Sequence, residues 1–504
     1  MLRTRICWSP ILSIPRLYAM KARPIISHQR PIIISLAANK CFINNSCSIP
    51  LDLRRYFASS EKRGGLITKY TLNKKYSTKV SNSSHQDTTS SREENPNLPI
   101  SQASGPPLAD IIIDDKLQEI LRRTLWHFRA PIRYAFAYGS GVFPQSNQKL
   151  SSPDHRPKYF NASATVNNAL ASAPKMIDFI FGVSHTQHWH SLNLAQHRDH
   201  YSALGSLGSG AVSMVQEKLG AGVYFNPYVK VNGITIKYGV VNLDTLCTDL
   251  TNWTTLYLAG RLQKPVKILR DDPRVRSANQ TNLISALRAA LLLLPSEFTE
   301  YDLYTTISTI SYIGDPRMNF PTENPRKVAN IVGCNLPNFR KLYLPLIENL
   351  PNVCFKDFRN TGLDWISDPH INLRLIQDMD PVKRGNIVRR LPEAFRKKLY
   401  FQCQSKYKIP QIEFDTILEA SNVGDEMQIK RCEGGSFEQK IASEPPENLR
   451  NELKNAIRRT VRWPSISQSF KGLLTAGVAK TWKYIGEKIR KNRLGRLDAE
   501  TSAK

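Results

Sequence analysis

One carboxylate and one glycine-rich turn are the residues whose chemistry stands out. Asp178 lies in the apolar run 176–181, where a charge is costly to bury without a cation. The segment 138–143, Tyr-Gly-Ser-Gly-Val-Phe, follows another apolar run, and its glycines would let backbone N–H groups approach a triphosphate. A carboxylate that holds Mg²⁺, or another divalent cation, beside a phosphate cradle suits nucleotidyl transfer. The alternative for the Gly-Ser-Gly segment is an ordinary loop.

Asp178 is predicted to bind the metal and to be catalytic. The residues predicted to bind the nucleotide are Tyr138, Gly139, Ser140 and Gly141. Lys237 is a second charge within a strand pattern. It is predicted to be catalytic, through contact with a phosphate or with Asp178, and a solvated edge position is the alternative. Positive charge for nucleotide binding is also predicted from Arg261 and Lys264. Additional site candidates are His190, Asn193, Tyr238 and Lys267, of which His190 and Asn193 share a helix face.

Elements that could position these residues follow from local patterns. Apolar runs predict buried strands at 134–138 and 176–181, joined by the polar segment Ser146–Pro174. We interpret this segment as an insertion, and a functional lid is the alternative. Asn232-Gly233 between two apolar runs predicts a β-hairpin. Together these features predict an α/β domain over residues 108–275. From about Asn282 leucines recur at helical spacing, which predicts a mainly helical second domain over residues 276–440.

Composition indicates the partners and the compartment. The net charge of +28 suggests nucleic acid, an anionic lipid surface or nucleotide phosphates, although the terminal segments contribute to it. Residues 1–57 are basic, with no acid before Asp52, and are predicted to be a mitochondrial transit peptide. Residues 58–107 are predicted to be a disordered linker. The 8 cysteines lack zinc-finger spacing, and no apolar run is long enough for a membrane-spanning helix.

The C-terminal part, residues 441–504, is predicted to hold a basic amphipathic helix. Its apolar residues fall at helical spacing: Ile466, Phe470, Leu473, Leu474, Val478, Trp482, Ile485 and Ile489. Basic residues surround them: Lys471, Lys480, Lys483, Lys488, Arg490, Lys491, Arg493 and Arg496. This pattern favours peripheral binding to an anionic membrane surface. A helix that docks on the protein's own core is the alternative.

Several blocks in this order resemble one family, the mitochondrial translocator assembly and maintenance proteins, which are mitochondrial phosphatidate cytidylyltransferases. The blocks include 138–143, Ile177-Asp178-Phe179, Ile236-Lys237-Tyr238-Gly239-Val240, Asp249-Leu250 and the run from Ala259 to Ile268. The second domain adds Ser311-Tyr312, Gly314-Asp315 and Lys327-Val328. Ile180 stands where the wider nucleotidyltransferase superfamily usually has a second Asp, so the remaining metal ligands are unassigned.

The resemblance implies an activity and a place in the cell. The family makes CDP-diacylglycerol and pyrophosphate from CTP and phosphatidic acid, with Mg²⁺ or a similar ion, and the product feeds cardiolipin synthesis. It acts as a peripheral protein on the matrix side of the mitochondrial inner membrane. The implied fold is a nucleotidyltransferase-type α/β domain followed by a helical, winged-helix-like domain. The alternatives are an RNA-directed nucleotidyltransferase and a non-enzymatic matrix factor for membrane assembly, although no nucleic acid partner is expected.

Overall fold

The computed structural model describes residues 111–145, 176–319, 324, 326–356, 363–422, 434–477 and 486, all within the unit Thr88–Lys504. The predicted transit peptide, the linker and the Ser146–Pro174 insertion lie outside the described residues. So does the tail after Gly477, apart from residue 486.

Apolar strands form a mixed five-stranded sheet in the order β3-β4-β2-β1-β5. Its members are β1 (Tyr134–Tyr138), β2 (Ile177–Val183), β3 (Val223–Val231), β4 (Ile234–Asn242) and β5 (Lys267–Arg270). β2 and β4 are parallel, and the other neighbours are antiparallel. Between β3 and β4, Asn232 and Gly233 have φ values of +49° and +80°, as a tight hairpin turn requires. The predicted strands and hairpin are therefore confirmed.

Helices cover both faces of this sheet. On one side lie α1 (Asp115–Trp126), α2 (Thr186–Gln196) and α3 (Gly208–Lys218). Phe128, after α1, and Trp189, on α2, pack against Phe181 with ring centroids 5.1 and 6.5 Å apart. On the other side lies α4 (Leu243–Asn252), and a Cβ atom at Gly182 would lie 2.9 Å from Leu243 Cδ2. The sheet thus separates two packed layers, and each strand residue faces one of them.

Residues after β5 form mainly helices and a second, smaller sheet. The short helix α5 (Ala259–Leu262) precedes β5, and the helices after β5 begin with α6 (Pro273–Leu293), α7 (Glu300–Ile310), α8 (Lys327–Gly333) and α9 (Leu336–Glu348). Strands β6 (Glu297–Thr299), β7 (Val353–Phe355) and β8 (Arg374–Gln377) pair in the order β6-β8-β7. The remaining helices are α10 (Pro381–Arg389), α11 (Glu393–Tyr407), α12 (Gln411–Asn422), α13 (Ser436–Ala442) and α14 (Pro446–Ala476). Leucine periodicity predicted the helices but did not indicate the three short strands.

The long helix α14 packs on the core through apolar side chains in its first half, such as Leu453 and Ile457, and docks through polar side chains from Ser465 onward. Gln468 Nε2 donates to the Val223 carbonyl at 3.0 Å. Lys471 is fully buried, and its Nζ donates to the Gln216 carbonyl at 3.0 Å and to the Leu219 carbonyl at 2.5 Å, at the C-terminal end of α3. The prediction that Lys471 lies on the basic outer face of the helix is wrong. Its ammonium is buried because these carbonyls accept hydrogen bonds from it inside the protein.

The apolar stripe of α14 faces outward in the part that the structure describes. Phe470 is 62% exposed, and its neighbours on the stripe are also exposed: Ile466, Leu473 and Leu474. Trp463, on the same helix, is exposed as well. No helix among the described residues is long and apolar enough to cross a membrane.

Candidate active site

Three neighbouring strands place the predicted catalytic pair side by side. The antiparallel register of β1 and β2 sets Tyr138 opposite Asp178, and the parallel register of β2 and β4 sets Asp178 opposite Lys237. Residues that oppose each other in a ladder share one face of the sheet, so these three side chains form a row. Lys237 Nζ lies 3.6 Å from Asp178 Oδ1, and the two side chains are 19% and 26% exposed. The pair is close enough to interact and remains open to a ligand.

The Gly-Ser-Gly turn packs against the same carboxylate. Gly139 has a φ of +81°, and a Cβ atom there would lie 3.2 Å from Asp178 Oδ2. A Cβ atom at Gly141 would come within 2.8 Å of the Met176 carbonyl oxygen. Gly141 has no room for a side chain, whereas a Cβ atom at Gly139 would require Asp178 to shift slightly and would also need the left-handed backbone that glycine tolerates. Ser140, between them, is partly exposed. A phosphate could therefore approach this turn directly beside Asp178.

The carboxylate of Asp178 fits a divalent cation that binds mainly through a substrate. Ile180 is fully buried, and a Cβ atom at Gly239 would lie 2.9 Å from its Cδ1. Ile180 thus packs in the core, at the strand position where a second metal-binding carboxylate would stand. Mg²⁺ commonly keeps several waters and uses one or two carboxylates together with substrate phosphates. Asp178 is one accessible acid of this kind, beside the glycine turn that is predicted to bind phosphate.

Arg261 reaches this row from α5. Its Nε donates to the Tyr138 hydroxyl at 3.2 Å, and its guanidinium lies 4.0 Å from the centroid of the Tyr257 ring. Burial raises the pKa of Tyr138, so the phenol stays protonated near neutral pH. The structure therefore brings Arg261 to the row of Tyr138, Asp178 and Lys237, as the nucleotide-binding hypothesis requires.

Lys264 belongs to a group of cations beside Arg261. Its Nζ donates to Ser311 Oγ at 2.9 Å and to the Gly260 carbonyl. The ammonium groups of Lys264 and Lys327 lie 5.1 and 5.0 Å from the centroid of the Tyr312 ring. Burial, together with the charges of Arg261 and Lys327, lowers the pKa of Lys264 to about 7. A bound anion would favour the charged form of this lysine.

Comparison with known proteins decides the family of this chain. The family described as "Phosphatidate cytidylyltransferase, mitochondrial" matches residues 121–491. A Schizosaccharomyces pombe protein of that name is 36% identical over 383 residues, which cover 76% of this chain and 86% of that protein. This chain belongs to the mitochondrial phosphatidate cytidylyltransferase family. The resemblance drawn from the sequence blocks is therefore confirmed.

Other members of the family are also similar, over different shares of this chain. A Xenopus laevis protein of the same name is 36% identical over 372 residues, 73% of this chain and 93% of that protein. A Saccharomyces cerevisiae protein of the same name is 43% identical over 244 residues, 48% of this chain and 58% of that protein.

In this family member, three of the additional candidates lie on the opposite face of the sheet. Tyr238 alternates with Lys237 along β4, and its hydroxyl accepts a hydrogen bond from Asn193 Nδ2 at 3.0 Å. His190 is buried beside Tyr201, with 2.8 Å between His190 Nδ1 and the Tyr201 hydroxyl. Burial lowers the pKa of His190 to about 4, so it is neutral at physiological pH. These residues form a buried network under the sheet, away from the Asp178 row.

Lys267 also faces away from Asp178. It pairs with Ala137 in the β1–β5 ladder, which puts it on the face opposite Tyr138. Its side chain is buried, and Nζ donates to the Ile111 carbonyl at 3.1 Å. The structure therefore brings Arg261 and Lys264 to the site region but does not bring Lys267 there.

Asp249 belongs to one of the sequence blocks that resemble the family, but its role could not be predicted from the sequence. Buried on α4, it accepts hydrogen bonds from four backbone N–H groups at 2.8–3.1 Å, those of Thr255, Leu256, Leu258 and Ala259. It thus holds the loop before α5, in which Leu256 has a φ of +57°, a value that costs energy in a residue other than glycine. The available signal was an acid three residues after Leu246 on the apolar face of a helix.

Proposed function

We propose that this chain makes CDP-diacylglycerol and pyrophosphate from CTP and phosphatidic acid, and so feeds mitochondrial cardiolipin synthesis. Membership of the family carries the proposal, because the similar proteins are named for phosphatidate cytidylyltransferase activity. The contact of Asp178 with Gly139 and Lys237 supports this face of the sheet as the site of that chemistry.

The reaction needs positioning and charge neutralisation more than a strong base. The phosphate of phosphatidic acid attacks the α-phosphorus of CTP, a new P–O bond forms, and pyrophosphate leaves. This nucleophile is already anionic at neutral pH, so no side chain has to remove its proton. The turn 139–141 would hold the triphosphate, and Lys237 would neutralise phosphate charge next to Asp178. Mg²⁺, held by Asp178 and the nucleotide, would add positive charge at the phosphates.

Arg261 and Lys264 would bind the phosphates that leave. Both lie beyond the Tyr138 end of the row, and Lys264 belongs to a cluster of cations with Lys327. Charge that develops on a leaving pyrophosphate is stabilised best by cations that are already in place. Arg261 and Lys264 belong to the five-stranded sheet region, and Lys327 belongs to the helical region that follows it.

We assign residues 108–275 to a nucleotidyltransferase-type domain and residues 276–440 to a winged-helix-like domain. A carboxylate on β2 beside the glycine turn after β1 supports the first assignment. The three-stranded sheet β6-β8-β7 among helices supports the second. The Tyr343 hydroxyl donates to the Gln263 carbonyl at 2.8 Å, which links α9 to the segment that carries Arg261 and Lys264.

Peripheral attachment to the matrix side of the mitochondrial inner membrane completes the proposal. The outward apolar face of α14 supports it, because interfacial helices insert such a face between lipid headgroups. The basic residues after Gly477 would attract anionic lipids, at about 1 kcal/mol for each charge near the surface. The composition of residues 1–57 and the relatives' mitochondrial names support the compartment.

Purified protein given labelled CTP is expected to convert it to CDP-diacylglycerol on liposomes that contain phosphatidic acid. RNA supplied in place of the lipid should receive no label. Label transferred to RNA ends would favour the RNA-directed alternative. A folded protein that transfers label to neither acceptor, yet binds liposomes, would favour the non-enzymatic assembly factor.

Binding of CTP is expected to take up about one proton at Lys264 near pH 8. In the empty site the pKa of Lys264 is lowered to about 7, so its amine is mostly neutral at that pH. Bound phosphate favours the ammonium, so binding takes up a proton and weakens as pH rises above the pKa of the empty site. Calorimetry in buffers of different ionisation enthalpy measures this uptake.

The matched variant is Lys264→Gln, which should take up about one proton fewer than the wild type at the same pH. The comparison cancels the protonation of CTP itself, because that contribution is common to both proteins. Equal proton uptake by the two proteins would show that Lys264 does not bind the nucleotide phosphates.

A further inference from the structure

The five-stranded sheet region carries exposed apolar side chains of its own at the edge formed by α3. Leu207, at the end of the 3₁₀ helix Ala203–Leu207, is 73% exposed. Met214, on α3, is 60% exposed, and Leu219, just after α3, is 38% exposed. Single exposed apolar residues are common, but several on adjoining elements mark an interaction surface.

This edge is joined directly to α14. Lys471 reaches the carbonyls of Gln216 and Leu219, which end α3. Ser202, which caps the 3₁₀ helix, donates to the Leu474 carbonyl at 2.8 Å. A Cβ atom at Gly220 would press on Gln468 Oε1 at 2.7 Å, so the two elements are in close contact there. The C-terminal end of α3 and the cap of the 3₁₀ helix therefore contact the part of α14 that carries the outward apolar stripe.

We propose that Leu207, Met214 and Leu219 form, with the outward face of α14, one continuous surface that inserts into an anionic lipid bilayer. The five-stranded sheet region would then contact the membrane directly, in addition to the contact made by the C-terminal helix. This inference rests on the proposed function in one respect, because a lipid substrate gives the enzyme a reason to lie on a bilayer.

A bilayer fits this surface better than a second protein does. After Ser465, α14 buries Gln468 and Lys471 and exposes Phe470 and Leu474, the reverse of its first half, which packs Leu453 and Ile457 on the core. The exposed acids Glu217 and Asp199 adjoin the edge together with the exposed cations Lys218 and Arg198. Beyond Gly477 the sequence continues with many more cations: Lys480, Lys483, Lys488, Arg490, Lys491, Arg493 and Arg496. Apolar side chains flanked by basic ones match the interface of an anionic membrane.

The test is flotation of the full chain with phosphatidylcholine liposomes, with and without phosphatidic acid. The double variant Leu207→Ser/Met214→Ser leaves α14 intact and is expected to lower the bound-to-free ratio at least about tenfold. The matched control is Ile112→Ser/Ile412→Ser, which removes two side chains that are 77% and 85% exposed elsewhere. The control should float like the wild type.

Activity on a short-chain, water-soluble phosphatidate separates this inference from the proposed function. The Leu207→Ser/Met214→Ser protein should match the wild type on that substrate, which also shows that it is folded. If the Leu207→Ser/Met214→Ser protein floats as well as the wild type, the inference is overturned. The inference is also overturned if sedimentation shows that this variant loses self-association while its flotation is unchanged. A wild-type protein that floats with liposomes but has no cytidylyltransferase activity would contradict the proposed function. It would not contradict the proposed membrane-binding surface.

Discussion

Replacing Asp178 by asparagine is expected to lower the rate of CDP-diacylglycerol formation at least about a thousandfold, because a metal at the phosphates supplies several kcal/mol of charge stabilisation. Asparagine keeps the shape of the side chain against Gly139 but removes the anion that would hold the cation. It also leaves Lys237, 3.6 Å away, without that negative charge. The measurement is the turnover of labelled CTP on phosphatidic acid liposomes at saturating Mg²⁺.

Asp244→Asn is the matched control. Asp244 is an exposed acid on α4 whose partner, Arg274, is also exposed, so its loss should leave turnover unchanged. The circular dichroism spectra and melting temperatures of both variants show whether each is folded. An Asp178→Asn protein that is folded and turns over near the wild-type rate would remove Asp178 from the chemistry and with it the metal assignment.

Replacing Asp249 by asparagine is expected to lower kcat/KM for CTP by about a hundredfold, because a misplacement near 1 Å can cost that much. Its oxygens accept four backbone N–H groups from the loop that leads into α5. An amide nitrogen in place of one oxygen cannot accept them, and each buried donor left unpaired costs about 1–3 kcal/mol. The loop should shift, and Arg261 with it. Steady-state kinetics with CTP varied measures the effect.

A double-mutant cycle tests whether Asp249 acts through Arg261. If it does, Asp249→Asn in an Arg261→Gln background should cost little more than Arg261→Gln alone, because the residue that it positions is already gone. A general loss of stability would instead lower the activity of both backgrounds by the same factor. Effects that multiply in full would therefore contradict the positioning role, even if both single variants are impaired.

Local patterns in the sequence were sufficient for much of the fold. The alternation and apolar runs predicted β1, β2 and the Asn232-Gly233 hairpin, since strand and turn preferences depend on near neighbours. Leucine spacing predicted α6, for the same reason. Asp178 and the glycine turn also stand out in the sequence, because a charge in an apolar strand and a Gly-Ser-Gly segment are local features.

Contacts between distant segments were decided only by the tertiary structure. Sequence spacing could not assign Lys267 and Tyr238 to the face opposite Asp178, since that depends on the register of paired strands. The positioning role of Asp249 is also visible only in the tertiary structure, where the loop before α5 folds around its carboxylate.

For the C-terminal helix, the sequence by itself determined that an apolar stripe exists, because the stripe is a property of helical spacing alone. Only the tertiary structure decided that the stripe points outward and that Lys471 points inward. The physical reason is that a buried ammonium needs oxygen acceptors, and the carbonyls that end α3 supply them from more than 250 positions away in the chain, at Gln216 and Leu219.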